Sequence, residues 1–252
     1  MMLLSPLRAD PAAPLAAANP LAKLGAAAMV MLVLFLSVDA VTPLLMLGAI
    51  AVAVALSGIP VRALLVRSSP LFVAALGAAF VNGLFGAGGP SLLDAAATGL
   101  RLIAIALAGI AAFVTIDPTD LADALMQHLR APPRFAVGAL AAFRLLPIFA
   151  TEWDTIGLAR RARGIDDAGS WLTRAWSFRE RAFTLLVAAI RRGVRLALAM
   201  DARGFATLTC RTIARPQPFT ARDRLLLLAS VLIAVGTIVV GSALGTWRGL
   251  FR

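Results

Sequence analysis

The chain has 252 residues, 60% hydrophobic and 15% charged, with 24 basic against 13 acidic side chains. Soluble globular domains run at about 45–50% apolar and about 25% charged, and disordered chains pair low hydrophobicity with high charge, so both classes are excluded. One cysteine, Cys210, and one histidine, His128, exclude a disulfide framework, a cysteine-rich zinc module and a polyhistidine metal site.

The composition is that of an integral membrane protein, with a mean hydropathy of +0.89. The net charge is +11; Lys23 is the only lysine and every other basic residue is arginine. A nucleic-acid binder can be equally basic, but it does not carry uncharged apolar runs of more than twenty residues. The expected surroundings are therefore a lipid bilayer, with no nucleic acid, and the positive charge sets topology and recruits a protein partner.

A helix needs about 20 apolar residues to cross the hydrocarbon layer. In chain order, residues 24–38 are uncharged up to Asp39, and 40–61 are uncharged up to Arg62. Residues 71–93 follow, with Gly83, Gly86, Gly88, Gly89 and Pro90 crowding the second half into a turn. Residues 102–116 are clean, extended backwards by 95–100 around Arg101, and 225–247 carry no charge. Five spans result. Arg8, Lys23, Arg62 and Arg67 flank one side of them, while Asp39 and Asp94 flank the other. The positive-inside rule then makes the N-terminus cytoplasmic, in a multi-pass protein of the cell membrane. Arg248 and Arg252 fall on the unfavoured side of such a count. Pro6, Asp10, Pro11 and Pro14 interrupt the N-terminal stretch, which does not read as a cleavable signal.

Between the fourth and last spans, residues 117–224 hold 17 arginines and 10 acids yet stay apolar for long stretches. Asp117-Pro118-Thr119-Asp120 predicts a helix start, with Asp117 as N-cap, Pro118 at N1 and Asp120 at N3. Leu121, Leu125 and Leu129 give that helix an apolar face. Ala131-Pro132-Pro133 ends it and opens a second helix running to Gly164. The first half of this second helix, 135–151, contains Arg144 and Pro147 and reads either as an interfacial helix or as a further span; its second half, 152–163, is polar. A third helix is expected from about Ser177 to Gly204, with Leu186, Ile190, Val194 and Ala197 on one face and Arg192, Arg195 and Arg203 on another. As a span, 183–200 fails on Arg191, Arg192 and Arg195, at about 2.5–3.5 kcal/mol each. The chain thus divides into 1–116 (a cytoplasmic lead and four spans), 117–224 (a cytoplasmic helical region) and 225–252 (the last span and a tail).

No enzyme reading survives. A P-loop needs Gly-x4-Gly-Lys-Ser/Thr, and Lys23 is followed by Leu24, while the run Gly83 to Gly89 has no lysine. His128 lies in a charged helix as a solvated side chain, without the serine partner of an intramembrane protease. Asp201-Ala202-Arg203-Gly204 lacks the further aspartates that a membrane phospholipid synthase uses to bind metal.

Ala162-Arg163-Gly164 ends the second helix and Ala202-Arg203-Gly204 ends the third. Glycine there suits a helix C-cap, and arginine suits the negative end of the helix dipole. Two such ends, 40 residues apart in one cytoplasmic segment, also suit a dimeric partner with two similar grooves. With these tripeptides, Asn19-Pro20 and Lys23, Asp117-Pro118 to Leu125, and Arg144-Leu145-Leu146-Pro147, the chain resembles the transmembrane T component of energy-coupling factor transporters, the ABC-type importers of vitamins and trace metals. The resemblance implies an all-α integral membrane protein of about five transmembrane helices plus long cytoplasmic or interfacial coupling helices. It also implies two ABC ATPase subunits docked on Ala162, Arg163 and Gly164 and on Ala202, Arg203 and Gly204. A separate substrate-binding membrane subunit (S component) completes the expected complex. No cofactor belongs to this chain, since ATP and Mg would sit in the ATPases. The implied cargo is a vitamin or precursor, with cobalt or nickel as the alternative. A permease of a conventional ABC importer, with its own substrate path and one short coupling loop, is the competing class; two long arginine-tipped helices in one chain argue against it. A channel or scaffold fits least, because only Asn82 and a few Ser and Thr interrupt the spans.

Overall fold

A computed structural model of the protein describes residues 13, 15, 17–85, 91–165, 170–205, 213 and 215–245. The expected turn around Gly88, the Asp166-Asp167 linker, Cys210, Arg248 and Arg252 lie outside them. The described residues form eight α-helices and no strand: α1 Pro20–Leu36, α2 Val41–Leu56, α3 Val61–Phe85, α4 Leu92–Val114, α5 Pro118–His128, α6 Pro133–Ala162, α7 Trp171–Ala202 and α8 Ala221–Ala243. This is an all-α, multi-pass membrane architecture. Two compact units make it up, Met1–Arg130 with Gln217–Arg252 and, separately, Ala131–Pro216.

In the first unit, local chemistry sets the helix ends. Asn19 caps α1, its side-chain oxygen accepting the Leu21 N–H at 3.0 Å, and Pro20 enters the first turn, where its missing N–H costs nothing. The run expected to span 40–61 stops at Leu56. There the Ser57 hydroxyl donates to the Val54 carbonyl at 2.7 Å, Gly58 adopts φ +66°, and Pro60 follows. Helix α3 then starts at Val61, so Arg62 and Arg67 belong to its first turns instead of a loop between spans. Pro70 inside α3 removes one backbone donor, and the Ser69 hydroxyl takes the Val66 carbonyl left over, at 2.8 Å. Leu92 and Leu93 open α4, not the end of the preceding span, under a Ser91 cap that accepts the Asp94 N–H. Between α1 and α2, burial alone would raise the Asp39 carboxyl's pKa. Hydrogen bonds from the Ser37 and Thr42 hydroxyls and the Thr42 N–H outweigh it and hold the group below the usual carboxylate range.

Small side chains bring these helices together. Ala97, Ala104, Ala108 and Ala112 form a buried line along α4, facing a core that includes Leu34, Met46, Ile50, Val54 and Ala234. A Cβ on Gly83 would sit 2.7 Å from that of Ala95, and one on Gly99 would sit 3.2 Å from that of Ala79, so α3 and α4 pack nearly backbone to backbone. A Cβ on Gly25 would meet the Leu227 side chain at 3.0 Å, so this glycine leaves room for α8's leucine against α1.

Among the described residues, four helical segments are long and apolar enough to cross a membrane: Ser68–Phe85, Leu92–Val114, Pro133–Ala162 and Ala221–Ala243. Helices α1 and α2, at 17 and 16 residues, are shorter than the about 20 residues of a straight crossing. The first two expected spans are therefore short apolar helices, while α6, expected as either interfacial or spanning, has the length and composition of a span.

In the second unit, α6 and α7 run antiparallel, since the later residue of α6, Arg160, pairs with the earlier one of α7, Glu180, while Glu152 pairs with Arg192. Helix α7 begins at Trp171, well before the expected Ser177, and Trp171, Leu172 and Trp176 thereby join it.

Candidate functional site

The two Ala-Arg-Gly tripeptides end α6 and α7 with the same backbone geometry. Arg163 is the C-cap of α6; Gly164, at φ +68°, donates its N–H to the Arg161 carbonyl at 3.0 Å, and Ile165 donates to the Arg160 carbonyl at 3.2 Å. Arg203 is the C-cap of α7; Gly204, at φ +78°, donates to the Asp201 carbonyl at 2.9 Å, and Phe205 donates to the Met200 carbonyl at 3.1 Å. Both are Schellman motifs, in which a left-handed glycine closes two orphan carbonyls. Ala162, Arg163 and Gly164 are exposed, as are Ala202 and Arg203, and Gly204 is half-buried.

The hairpin separates these two ends. The Arg160–Glu180 pair closes the α6 end, and Arg203 lies 23 residues beyond Glu180, about 35 Å along the helix. Within the hairpin, Arg160 reaches Glu180 at 2.6 Å and Arg192 reaches Glu152 at 3.2 Å, with the Arg192 guanidinium 5.8 Å from the Phe149 ring. Trp153 meets Phe178 edge-on at 5.2 Å, and Arg181 lies against Gly157. Arg160 and Arg192, which look like ordinary solvated arginines in sequence, are thus interhelical ties. Arg163 and Arg203 differ from them: among the described residues neither guanidinium has a hydrogen-bond or ion-pair partner.

A second polar constellation, in the first unit, is not apparent from motif reading. Gln217 ties four residues together there. Its N–H donates to the Gln127 side chain at 2.9 Å and its amide to Asp120 at 3.1 Å, and its carbonyl meets the Asn19 amide at 3.3 Å and His128 Nε2 at 2.7 Å. His128 is exposed, as its place in a charged helix suggests, but it also packs edge-on against Phe219 and is therefore tied to the residues before α8. Asp223, 1% exposed, accepts from the Asn19 N–H, the Thr220 N–H and the Thr220 hydroxyl, each at 2.7 Å. The sequence signal for it was the Thr220–Asp223 spacing of a capping box, which the structure contains. Lys23 is likewise no solvated topological charge. It is buried, and its Nζ donates to the Thr115 carbonyl at 2.9 Å. No group of three or more metal-ligating side chains occurs among the described residues.

Comparison with known proteins agrees with the family resemblance. The family model described as CbiQ, cobalt transport protein, matches residues 12–212. The chain is 31% identical over 157 residues to the energy-coupling factor transporter transmembrane protein EcfT of Brevibacillus brevis, covering 59% of this chain and 57% of that protein. The EcfT of Staphylococcus aureus is 31% identical over 153 residues, covering 57% of each. These two matches therefore span just over half the length of the relatives concerned. The EcfT of Exiguobacterium sibiricum is 30% identical over 227 residues, covering 82% of this chain and 86% of that protein.

Proposed function

Since the chain belongs to the CbiQ family and is a transmembrane T component of an energy-coupling factor transporter, we propose that it is the coupling subunit that passes ATP-driven motion to a substrate-binding membrane subunit. Two ABC ATPase subunits dock on it, one on Ala162, Arg163 and Gly164, the other on Ala202, Arg203 and Gly204. The observation that carries this reading is the pair of matched helix ends at opposite ends of one hairpin, each presenting an exposed arginine without a side-chain partner among the described residues. One groove on each subunit of an ATPase dimer is a natural match for two such ends. Closure of the ATPases on ATP would then displace one end of the hairpin relative to the other. The exposed apolar face of α7, with Leu186, Ile190 and Val194, supplies a surface through which that motion reaches the substrate-binding subunit.

ATP and Mg are held by the ATPases in this reading. The only lysine of this chain is spent on the Thr115 carbonyl, in no phosphate-binding loop. The N-terminus and the 117–224 segment face the cytoplasm, on the distribution of arginines. The cargo is a vitamin or precursor bound by the other membrane subunit; cobalt is the second reading, favoured by the description of the matching family.

Co-expression with the two ATPase subunits and the substrate-binding subunit tests the assignment. A stable four-chain complex with ATPase activity and ATP-dependent uptake is expected, and failure of the ATPases to co-purify refutes it. Competing labelled vitamins against labelled cobalt in the same cells identifies the cargo. In a Cys210→Ser background, Val38→Cys, at the exposed position beside buried Asp39, should react with an impermeant thiol reagent from outside; labelling only from the cytoplasmic side reverses the topology.

A further inference from the structure

We propose that the first turns of α7, residues 171–183, form a membrane-surface anchor that seats aromatic side chains among the headgroups of anionic phospholipids. The proposal does not depend on the coupling role, only on the chain lying in a bilayer.

The anchor is visible only because α7 starts at Trp171. Leu172, Trp176 and Phe183 then fall in one quadrant of the helix, continuous with Leu186, Ile190 and Val194. Helix α7 has no buried residue, and Trp171, Leu172, Trp176 and Phe183 are all more than half exposed. The two halves of this apolar line differ in chemistry. Residues 184–200 contain no aromatic side chain, whereas 171–183 contain two tryptophans and two phenylalanines with Arg174, Arg179 and Arg181 interspersed. Tryptophan and arginine beside aliphatic side chains, on a helix of low overall hydrophobicity with a charged opposite face, are the composition of a helix lying in the bilayer interface.

Electrostatics then select the lipid. Glu180 is the only acid in 171–183, and it is already paired with Arg160. The Arg179 guanidinium lies 4.0 Å over the Trp176 ring. That cation–π contact keeps a positive charge beside the Trp176 ring, where its N–H groups can serve a lipid phosphate. Arg174 and Arg179 are exposed, and neither side chain has a hydrogen-bond or ion-pair partner among the described residues. Trp153, by contrast, is spent on Phe178 within the hairpin and serves as an internal reference.

The test uses the full chain in phosphatidylcholine vesicles, with or without phosphatidylglycerol, containing lipids brominated near the top of the acyl chain. One variant keeps Trp176 alone (Trp153→Phe, Trp171→Phe, Trp247→Phe); a second keeps Trp153 alone. Trp176 emission should be blue-shifted and quenched more strongly than Trp153, more so with phosphatidylglycerol, and Arg174→Gln with Arg179→Gln should abolish that difference. A second arm needs no tryptophan replacement: in the co-expressed complex, a phosphatidylglycerol bearing a diazirine near the headgroup should leave adducts on the 171–183 peptide. Equal quenching of the two tryptophans, indifference to anionic lipid, or adducts that vanish when the substrate-binding subunit is present would overturn the anchor; the last result would make the patch a protein interface.

Discussion

The two compact units satisfy their polar groups in opposite ways. In the first, Asn19, Gln217 and Asp223 are buried or half-buried and hydrogen-bond to one another and to neighbours within the unit. In the second, α7 buries no residue, an apolar line stays exposed along it, and the arginines at both helix ends are exposed with no side-chain partner among the described residues. Buried polar groups left unmatched cost free energy, so the polar cluster of the first unit has to close within that unit. The second has the character of a surface awaiting other molecules. Substitutions in the first unit should therefore appear as lost stability of the chain, and those at the tips of the second as lost assembly.

The largest effect should come from Arg163→Glu combined with Arg203→Glu. If each arginine meets a carboxylate away from bulk water, losing one partner costs about 2–5 kcal/mol, roughly thirtyfold or more in affinity per site. A single Arg→Ala should weaken the complex yet leave it assembled, because the second tip keeps the ATPase dimer at high effective concentration. The double alanine should release the ATPases or abolish uptake, and the double glutamate should be worse because like charges then face each other. Co-purification of tagged ATPase reads this out, with the melting temperature of the isolated chain unchanged. A double alanine that assembles and transports normally would reduce both tripeptides to helix caps and erase the contrast between the units.

Next in size is Asp223→Ala, in the first unit. It strands the Asn19 N–H, the Thr220 N–H and the Thr220 hydroxyl, and a buried donor left unmade costs about 1–3 kcal/mol. The chain alone, in detergent, should melt several degrees lower with or without ATPases, and Asp223→Asn, which keeps an acceptor, should recover part of the loss. Unchanged melting would mean that the cluster contributes nothing to stability.

Much of this was legible in the sequence, and the failures have physical causes. The Asp117-Pro118 start, the helix end at Gly164 and the helix end at Gly204 were readable because caps are local chemistry at fixed spacing. The end of α2 was missed because an uncharged run does not reveal where Ser57 and Gly58 stop the helix inside it. The start of α7 was missed because Ser170 and Ser177 offer equivalent caps, and only packing selects between them. The roles of Lys23, His128 and Gln217 depend on partners about 90 to 200 positions away, which no local pattern encodes. Arg160 and Arg163 look alike in sequence; only the approach of Glu180 separates them.

A smaller effect is expected from Gly164→Ala. An added Cβ meets nothing within 4 Å, so the cost in the isolated chain is only that of a left-handed backbone, about 1–2 kcal/mol. Gly164→Asn should cost less, since asparagine tolerates that conformation. If ATPase binding falls by more than the lost stability explains, and asparagine does not restore it, the glycine also admits the partner's close approach. Parallel losses of stability and binding would leave it a cap and nothing more.

The smallest effect, and the one that separates tie from tip most directly, belongs to Arg160→Ala and Arg192→Ala. Their ion pairs are partly solvated, with Glu180 51% and Glu152 26% exposed, and pairs of this kind contribute about 0–1 kcal/mol. Arg192 adds its contact with the Phe149 ring, so it should be the costlier of the two. Each loss should show as easier opening of the hairpin, measured as faster hydrogen exchange in α6 and α7, with ATPase co-purification nearly unchanged. A double-mutant cycle of Arg160→Ala with Glu180→Ala should return a coupling of the same small size. If Arg160→Ala instead costs as much binding as Arg163→Ala while exchange stays unaltered, Arg160 belongs to the docking tip, and the division between arginines spent inside the hairpin and arginines held out for a partner fails at the α6 end.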